Sequence, residues 1–355
     1  MFVFLRGVRF VLSGKGITYD TGFRSGGRST REPFDSNVAR REMQIIRDDL
    51  HCTAVRITGG YADRLKIAST FAAEAGLEIW LSPFTNGVSQ SELLDLLADC
   101  AEHAERLRRD GAEVVVLTGS EVSLFTQGFF PGDTIEERLA LITDPMRVRA
   151  VIPDVRARMR EFLKRAVETV RARFAGKVSY ASLPLEGVDW TQFDIISTDA
   201  GYRMPSNAEG FREQIRAFVA AGRAQGKPVA ITEFGCTTAC GAEDGRGDLN
   251  MIEWSGDARP LRLKQEYARD EKAQASYLRE VLEIFETEGV DSAFVNTFAR
   301  YDLPHNVDPG KDFDVASFGV VKVLDHQRSP GDGRYSDMPW EPKVAFTTLA
   351  DYYGR

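Results

Sequence analysis

Two glutamates stand out because each follows a run of apolar residues. Glu121 comes directly after the segment VVVLTGS at 114–120, and Glu233 ends the segment VAITE at 229–233. Hydrolysis of a glycosidic bond needs two such groups, a carboxylic acid to protonate the leaving oxygen and a carboxylate on the other side of the anomeric carbon. A single glutamate in this position can instead cap a helix or pair with an arginine. The pair predicts glycosidic chemistry only if the fold brings the two together.

Both segments belong to an alternation of short apolar runs and longer amphipathic stretches. Several runs, such as 114–117 and 193–196, are almost continuously apolar, which is typical of parallel strands covered on both faces. Stripes of apolar residues at helical spacing occur within 93–107, 148–170, 211–219 and 277–285. The eight predicted strands are Gly16–Asp20, Ala54–Thr58, Glu78–Ser82, Glu113–Thr118, Lys177–Ser182, Phe193–Thr198, Pro228–Phe234 and Ser292–Phe298.

This alternation predicts an α/β fold, a (β/α)8 TIM barrel spanning residues 1–355 as a single domain. Its long loops follow strand seven (235–267) and strand eight (299–340). A doubly wound sheet would show the same alternation and stays the alternative, although the chain has neither a dinucleotide-binding glycine motif nor a phosphate loop. In a barrel the strands' C-terminal ends form the catalytic face, where strands four and seven lie opposite each other. Glu121 and Glu233 are then expected to face one small molecule.

Composition narrows the class of partner. The apolar fraction of 43% and the charged fraction of 28% are those of a soluble globular protein. A net charge of −8 argues against nucleic acid or an anionic membrane as partner. No run approaches the roughly 20 apolar residues of a membrane span, and Arg6 and Arg9 interrupt the apolar N-terminus, so we interpret residues 1–12 as a lead-in segment rather than a signal peptide. We therefore expect a cytoplasmic protein without a disulfide framework.

The segments around the glutamates resemble those of clan A glycoside hydrolases, most closely family 113, the β-mannanase-type members. The segment TGSE at 118–121 is similar to that family's Gly-Thr-Glu, and TEFG at 232–235 is similar to the clan's Thr-Glu-x-Gly. The C-terminal segments SFGVV at 317–321 and WEPKVAF at 340–346 resemble the tail that closes such barrels. The resemblance spans the whole chain, but each of its motifs is short.

The resemblance implies a retaining mechanism with Glu121 as acid/base and Glu233 as nucleophile. It further implies that Arg56, on strand two, and Tyr202, past strand six, hydrogen-bond the nucleophile. Two positions depart from the clan's pattern. Ser120 stands where many members have an asparagine that holds the sugar 2-hydroxyl, so Ser120 is expected to contact the substrate, and strand eight ends in NTF at 296–298 rather than in a tryptophan. These departures leave the sugar open.

Further candidates for substrate contacts are aromatic residues and strand-end carboxylates near the expected barrel mouth. The aromatic candidates can stack on sugar faces, although core or loop packing is the competing interpretation, most strongly for Trp80 within strand three. The carboxylates that end strands one and six can bind hydroxyl groups or be structural. These candidates are Trp80, Phe84, Trp254, Phe298, Tyr301, Asp20 and Asp199.

Metal and cofactor chemistry is not expected. His305, Asp308, Asp312 and Asp314 could form a cation site on the last loop, but they lack a recognisable ligand spacing, and a solvated acidic loop is favoured. The remaining histidines, His51, His103 and His326, and the pair Cys236 and Cys240 also lack such a spacing. We therefore predict no cofactor and no metal, and a carbohydrate or glycoconjugate as the partner. A non-hydrolytic carbohydrate-binding barrel and a metal-dependent lyase or isomerase remain the alternatives, and the oligomeric state stays open.

Overall fold

A computed structural model describes residues 11–25, 27–241, 248–256, 258–325 and 333–355. His326 and most of the N-terminal lead-in segment lie outside these residues. The eight predicted strands are all present, and their ends differ from the predicted ones by no more than a few residues. The strands are β1 Gly14–Asp20, β2 Ala54–Gly59, β3 Glu78–Pro83, β4 Val114–Ser120, β5 Lys177–Ala181, β6 Ile196–Thr198, β7 Val229–Phe234 and β8 Ser292–Val295.

These strands form one parallel sheet in the order β5-β4-β3-β2-β1-β8-β7-β6. Its two outer strands meet, because Ser182, directly after β5, forms a parallel bridge with Thr198 in β6. Backbone hydrogen bonds from Asp194 to Val178 and from Asp199 to Ser182 join the same two strands. The sheet is therefore closed, and the predicted (β/α)8 barrel is confirmed over the doubly wound alternative.

Seven α-helices of ten or more residues surround this barrel among the described residues that follow its strands. The shorter α-helices Val122–Phe125, Ile135–Ile142 and Asp248–Met251 lie in the connections after β4 and β7. The seven longer helices begin at the expected signals: Ser89 forms a capping box with Glu92 at the start of α3, and Asp144 caps α4 ahead of Pro145. The helices are α1 Ser36–Asp48, α2 Ala62–Glu74, α3 Gln90–Arg109, α4 Pro145–Arg171, α5 Phe211–Ala224, α6 Glu271–Glu288 and α7 Val344–Tyr353.

The connection from β5 to β6 differs from the others. It is long enough for a helix, but it contains only two 3₁₀ turns, Pro184–Glu186 and Trp190–Gln192. Gly187 ends the first turn at φ 60°, a left-handed conformation that stops helical propagation. This connection instead packs behind β4, where it contacts the segment that carries Glu121.

Apolar side chains fill both faces of the sheet. One layer lies between the strands and the helices, and a second fills the interior of the barrel. Trp80 belongs to the interior layer: it is 1% exposed and packs on Phe294 with ring centroids 4.8 Å apart. Its prediction as a substrate-binding residue is wrong, because strand alternation turns it into the interior, two residues below Ser82, whose hydroxyl already faces Arg56.

The two long loops contain structure of their own. In the loop after β7, Ile252–Trp254 pairs with Pro260–Leu263, and after β8, Val321–Val323 pairs with Trp340–Pro342. Leu263, Leu303 and Val315 help to join the loops in a small apolar cluster. Across the described ranges, no helix combines the length and apolar character that a membrane span requires.

Candidate active site

Glu121 leaves β4 at a bulge. Residues Leu117–Ser120 pair with only Ser179–Ala181 of β5, so β4 holds one extra residue. Gly119 lies within it at φ 125°, and a Cβ there would come 2.5 Å from the side chain of Val122, so the turn requires glycine. Glu121 itself is left-handed, with φ 45° and ψ 39°, and its side chain does not cap the short helix that follows. The bulge and turn re-aim this half-buried carboxyl group away from the strand's own alternation.

Glu233 lies at a second bulge. Residues Ile231–Phe234 of β7 pair with only Ala293–Val295 of β8, so β7 holds one extra residue in the stretch that contains Glu233. The following Gly235 allows close backbone approach, since a Cβ there would lie 2.4 Å from the carbonyl oxygen of Asn296. Bulges are common beside active sites because they redirect a side chain. Here they occur on the two strands that carry the predicted pair.

Three side chains hold the Glu233 carboxylate, which is 20% exposed. The Tyr202 hydroxyl donates to Oε1, and Asn296 Nδ2 donates to the same oxygen at 2.9 Å and to the Tyr202 hydroxyl at 3.0 Å. Arg56 Nη1 lies 3.4 Å from Oε2. The contacts that the resemblance implied for Arg56 and Tyr202 are therefore present.

Asn296 was not predicted as a functional residue. It directly follows β8, and its Nδ2 donates to Glu233 Oε1 at 2.9 Å. A polar side chain at the C-terminal end of a barrel strand is the signal that could have identified it, and the same signal did identify the glutamates.

Arg56 has closer partners than Glu233. Its guanidinium, 1% exposed, lies 2.9 Å from Asp199 Oδ1 and 2.9 Å from Ser120 Oγ, and the Ser120 hydroxyl donates to Asp199 Oδ2 at 2.7 Å. Asp199 and Ser120 are each 2% exposed, so neither presents surface to a substrate. Their prediction as substrate-binding residues is wrong in that sense: the structure brings both to the site, but as supports of Arg56. The remaining acceptors of this guanidinium are the carbonyl oxygen of Thr232 and the hydroxyl of Ser82.

Burial and the negative charge of Asp199 raise the pKa of Glu233 to about 7, against the lowering effect of Arg56 and Tyr202. The resemblance implies an arginine that keeps the nucleophile ionised, and Arg56 does lower the pKa of Glu233, but not back to its usual range. The physical reason is that Arg56 lies closer to Asp199 than to Glu233 and neutralises Asp199 first.

Burial also raises the pKa of Glu121 well above its usual range, and the negative charges of Asp199 and Glu233 add to the effect. Arg56 lowers this pKa, but its effect ranks below those of burial and the carboxylates. Both carboxyl groups therefore hold a proton more strongly than an exposed glutamate does, and burial is the largest cause in each case. A raised pKa is what a carboxyl group needs to act as a general acid.

Phe84 is the aromatic candidate that stays at the barrel mouth with partial exposure. It directly follows β3 and packs against Phe23 and Phe125, with ring centroids 4.7 and 5.0 Å apart. These three half-buried rings come from the connections after β1, β3 and β4. Trp254 lies instead in the hairpin after β7, where it packs at the edge of the loop cluster.

Two other aromatic predictions fail. Phe298 is fully buried, and its ring packs edge-on against Trp340 at 5.3 Å, so it belongs to the core and cannot stack on a sugar. Tyr301 donates its hydroxyl to the buried carboxylate of Glu42 at 2.6 Å, and Arg31 lies over its ring at 4.2 Å. Both side chains join the β8–α7 connection to the rest of the barrel.

Asp20 ends β1 and is partly exposed, but local donors occupy both of its carboxylate oxygens. Oδ1 accepts from the backbone N–H of Gly22 at 2.8 Å, and Oδ2 accepts from the Thr30 hydroxyl. Burial raises the pKa of this carboxyl, and nearby Asp302 contributes to the increase. The structure therefore assigns Asp20 a role in ordering the connection after β1, and its predicted contact with substrate stays a prediction.

Asp312 and Asp314, after β8, form neither of the two predicted arrangements, a cation site or a solvated acidic loop, but pair with basic side chains of the protein. Asp314 is 1% exposed and pairs with Lys343 at 2.9 Å and Arg269 at 2.8 Å, while Asp312 accepts from Arg269 and from His305. The protein's own cations thus neutralise these carboxylates. Within the part of the chain that the structure covers, no group of three or more His, Cys, Asp or Glu is placed to hold a metal ion.

Two open cavities lie outside the barrel mouth. One of about 770 Å³ is at the start of α3 and one of about 490 Å³ is between the connection after β2 and α3; neither is lined by Glu121 or Glu233. Cavity size thus gives no guide to the site, whereas the convergence of Arg56, Tyr202 and Asn296 on one carboxylate does.

No protein-family model and no curated protein matches the sequence. Solved structures do match over almost the whole chain. A GH113 β-1,4-mannanase is similar with a TM-score of 0.57 and 15% identity, covering 97% of this chain and 99% of its own. The GH113 β-mannanase of Alicyclobacillus acidocaldarius in complex with ManMIm gives 0.55 and 14%, covering 97% and 98%.

A β-glucuronidase from Parabacteroides merdae is also similar, with a TM-score of 0.55 and 15% identity over 97% of this chain and 36% of its own. At such identities the likeness is one of fold. The predicted resemblance to glycoside hydrolase barrels is thereby confirmed at the level of architecture: the chain is a (β/α)8 barrel similar along its full length to GH113 β-mannanases.

Proposed function

We propose that this protein is a retaining glycoside hydrolase in which Glu233 is the nucleophile and Glu121 the acid/base. One observation carries the proposal: two carboxyl groups, both with raised pKa values, end the facing strands β4 and β7, each beside a bulge. The surrounding contacts support the division of roles, since Tyr202 and Asn296 donate hydrogen bonds to the Glu233 carboxylate and Arg56 lies 3.4 Å from it.

The reaction would proceed in two steps. In the first, Glu233 attacks the anomeric carbon while Glu121 gives its proton to the leaving oxygen, so a glycosyl ester forms as the glycosidic bond breaks. In the second, Glu121 takes a proton from water, which attacks the anomeric carbon and releases Glu233 and the sugar. The carboxyl groups of the pair should lie roughly 5–5.5 Å apart for this mechanism, whereas roughly 6.5–9.5 Å would indicate inversion.

The substrate class is a carbohydrate or glycoconjugate. β-Mannosides are the first to test, because the matching mannanases cover this chain and are covered by it almost completely. Phe84, in its cluster with Phe23 and Phe125, provides an aromatic surface at the mouth that suits the apolar face of a sugar.

Covalent labelling tests the proposal directly. The wild type and Glu233→Gln would be incubated with activated 2-fluoro-glycosides of mannose, glucose, glucuronic acid and galactose, followed by mass spectrometry of the intact protein and its peptides. We expect one added glycosyl mass on the Glu233 peptide of the wild type and none on the variant, since the amide has the same shape but is not a nucleophile.

Two outcomes would contradict the proposal. Labelling nowhere, together with sugar binding in the barrel mouth, would favour the non-hydrolytic carbohydrate-binding barrel. NMR of the first product would show whether hydrolysis inverts the anomeric configuration. Inversion would agree with a glycosidase but would contradict the covalent role of Glu233. A metal-dependent lyase or isomerase is less well supported, because Arg269 and Lys343 pair with the carboxylates after β8 that would have to bind the metal.

A further inference from the structure

The backbone around Glu121 is held from behind the site. Its left-handed conformation, φ 45° and ψ 39°, is one that a non-glycine residue adopts only when surrounding contacts impose it. The helix that follows, Val122–Phe125, is a single turn and adds little rigidity of its own. Contacts outside this turn must therefore keep the carboxyl group in place.

Three successive backbone N–H groups provide such contacts. The N–H of Glu121 donates to the carbonyl oxygen of Ala181 at 2.9 Å, that of Val122 to the Tyr180 hydroxyl at 2.9 Å, and that of Ser123 to Glu186 Oε1 at 3.1 Å. The acceptors all belong to β5 or to the 3₁₀ turn after it. Two of the three are side chains, so the sequence of this connection, and not the barrel backbone alone, determines how Glu121 is presented.

Glu186 is an unusual residue for this place. It is fully buried, and all of its described hydrogen bonds come from neutral donors: Ser123 N–H, the Tyr180 hydroxyl at 2.8 Å and Leu183 N–H at 2.8 Å. Burying a carboxylate without a cationic partner is costly, and burial raises the pKa of Glu186 to about 7. Its negative charge also contributes to raising the pKa of Glu121. The two-step mechanism itself has no use for a third carboxyl group here.

We propose that Glu186 and Tyr180 are positioning residues for Glu121: they fix the left-handed turn from behind and thereby aim the acid/base carboxyl at the leaving group. This role rests on the proposed glycosidase function. Neither side chain contacts the substrate, since both are fully buried behind the turn. The β5–β6 connection, which lacks the helix expected there, would then be specialised for this purpose.

The kinetic test compares leaving groups. Glu186→Ala removes the acceptor of Ser123 N–H, and Tyr180→Phe removes only the hydroxyl that accepts from Val122 N–H. A mispositioned acid should reduce kcat/KM for a substrate with a poor leaving group by on the order of tenfold or more. It should leave kcat/KM for an activated aryl glycoside nearly unchanged, because that leaving group needs little protonation. Azide, which replaces water without needing a base, should restore the second step.

Glu105→Gln is the control for a largely buried carboxylate outside the site: Glu105 also accepts a backbone N–H, from Ala175 at 3.1 Å, but Arg108 and Arg109 pair with it. It lies on α3, outside the barrel, and its substitution should change both substrates equally. If Glu186→Ala does not fold, Tyr180→Phe carries the test alone, since it removes a single oxygen atom.

A second measurement separates this proposal from the proposed function. Amide hydrogen exchange at Val122 and Ser123 should accelerate in Glu186→Ala and Tyr180→Phe, but not in Glu105→Gln, whether or not a substrate has been found. Faster exchange in the two variants, together with a wild type that hydrolyses nothing, would support the positioning contacts and refute only the glycosidase. Unchanged exchange, or an equal loss of kcat/KM on both substrates in the folded variants, would overturn the positioning role.

Discussion

The two carboxyl groups of the site are held in opposite ways. Glu233 is held by its side chain, whose oxygens accept from Tyr202, Asn296 and Arg56, on three different strands or strand ends. Glu121 is held by its backbone, while its side chain does not cap the following helix. A nucleophile must meet one atom from one direction, whereas an acid/base must first protonate a leaving group and later deprotonate water. The side chain of Glu233 is thus held in the one geometry that a nucleophile needs. The side chain of Glu121 is less constrained, as a group that acts in two different geometries requires.

Removing the side chain of Glu121 should have the largest effect on the rate. Glu121→Ala should lower kcat/KM for substrates with poor leaving groups by roughly 10²–10⁴-fold, the usual contribution of a general acid. An activated aryl glycoside should still form the intermediate on Glu233, because it departs without protonation, and the intermediate should accumulate since no base remains. Rapid-quench mass spectrometry measures that accumulation. Equal losses for both substrates would contradict a division of roles.

Removing one of the contacts that hold Glu233 should have a smaller effect. Tyr202→Phe deletes a donor to the ionised carboxylate, and a hydrogen bond to a charged group contributes about 1.5–3 kcal/mol, or roughly ten- to a hundredfold in rate. Because Tyr202 lowers the pKa of Glu233, the acidic limb of kcat/KM should also move to higher pH.

Asn296→Ala removes the second donor to the same oxygen and provides the comparison. Tyr277→Phe is a control, since its hydroxyl contacts the backbone of Arg203 and not the carboxylate. A limb that moves to lower pH in Tyr202→Phe would show that the tyrosine does not stabilise the anion.

The negative charge of Asp199 acts on both Glu121 and Glu233, and it can be removed without removing either glutamate. Asp199 raises the pKa of Glu233 and of Glu121, so the acidic limb of kcat/KM in the wild type is expected near pH 7, where Glu233 titrates. Asp199→Asn removes that negative charge and releases Arg56 toward Glu233, and both effects favour the anion. The limb should therefore move to lower pH.

Ser120→Ala is the matched control for this experiment, because it removes a hydrogen bond to Asp199 and keeps the charge. Its acidic limb should stay close to that of the wild type. A pH profile that moves equally in both variants would assign the effect to disturbed packing around Arg56 rather than to charge.

The strands and the position of the candidate pair could be predicted from the sequence because both depend on local patterns. Apolar runs identify parallel strands, and a polar residue at the end of a run identifies the catalytic face. The substrate contacts predicted for Trp80 and Phe298 failed because the direction of a side chain depends on the strand's tertiary setting. Trp80 points into the barrel interior, and Phe298 lies past the end of β8, where it packs on Trp340. Glu186 could not be found, because it lies 65 positions from Glu121 in a connection whose path depends on tertiary contacts.

Arg56 shows the same limit in another form. The resemblance implied its contact with Glu233, but nothing in the sequence indicated that Asp199, 143 positions away, would be its nearer partner. The state of ionisation of Glu233 depends on that competition, so the site's position was predictable and its electrostatics were not.

The smallest expected effect is on thermal stability, where substitutions of Glu121 and Glu233 should again give different results. A buried carboxyl with a raised pKa keeps its proton in the folded state while the unfolded chain loses it above about pH 4.3, so folding becomes less favourable as pH rises between these two pKa values. Glu121→Gln removes this penalty, and its Tm should exceed that of the wild type by roughly 1–3 °C. The difference should be larger at about pH 8 than at about pH 5.

Glu233→Gln should gain less, although it removes a penalty of the same sign. With Oε1 still accepting from Tyr202 and Asn296, the new amide NH2 would replace Oε2 and point its hydrogens at Arg56, which also only donates. Thermal unfolding of both variants across pH measures the contrast. An equal gain in Tm would mean that the side chain of Glu233 is no more constrained by its contacts than the side chain of Glu121 is. The contrast between a held nucleophile and a less constrained acid/base would then be wrong.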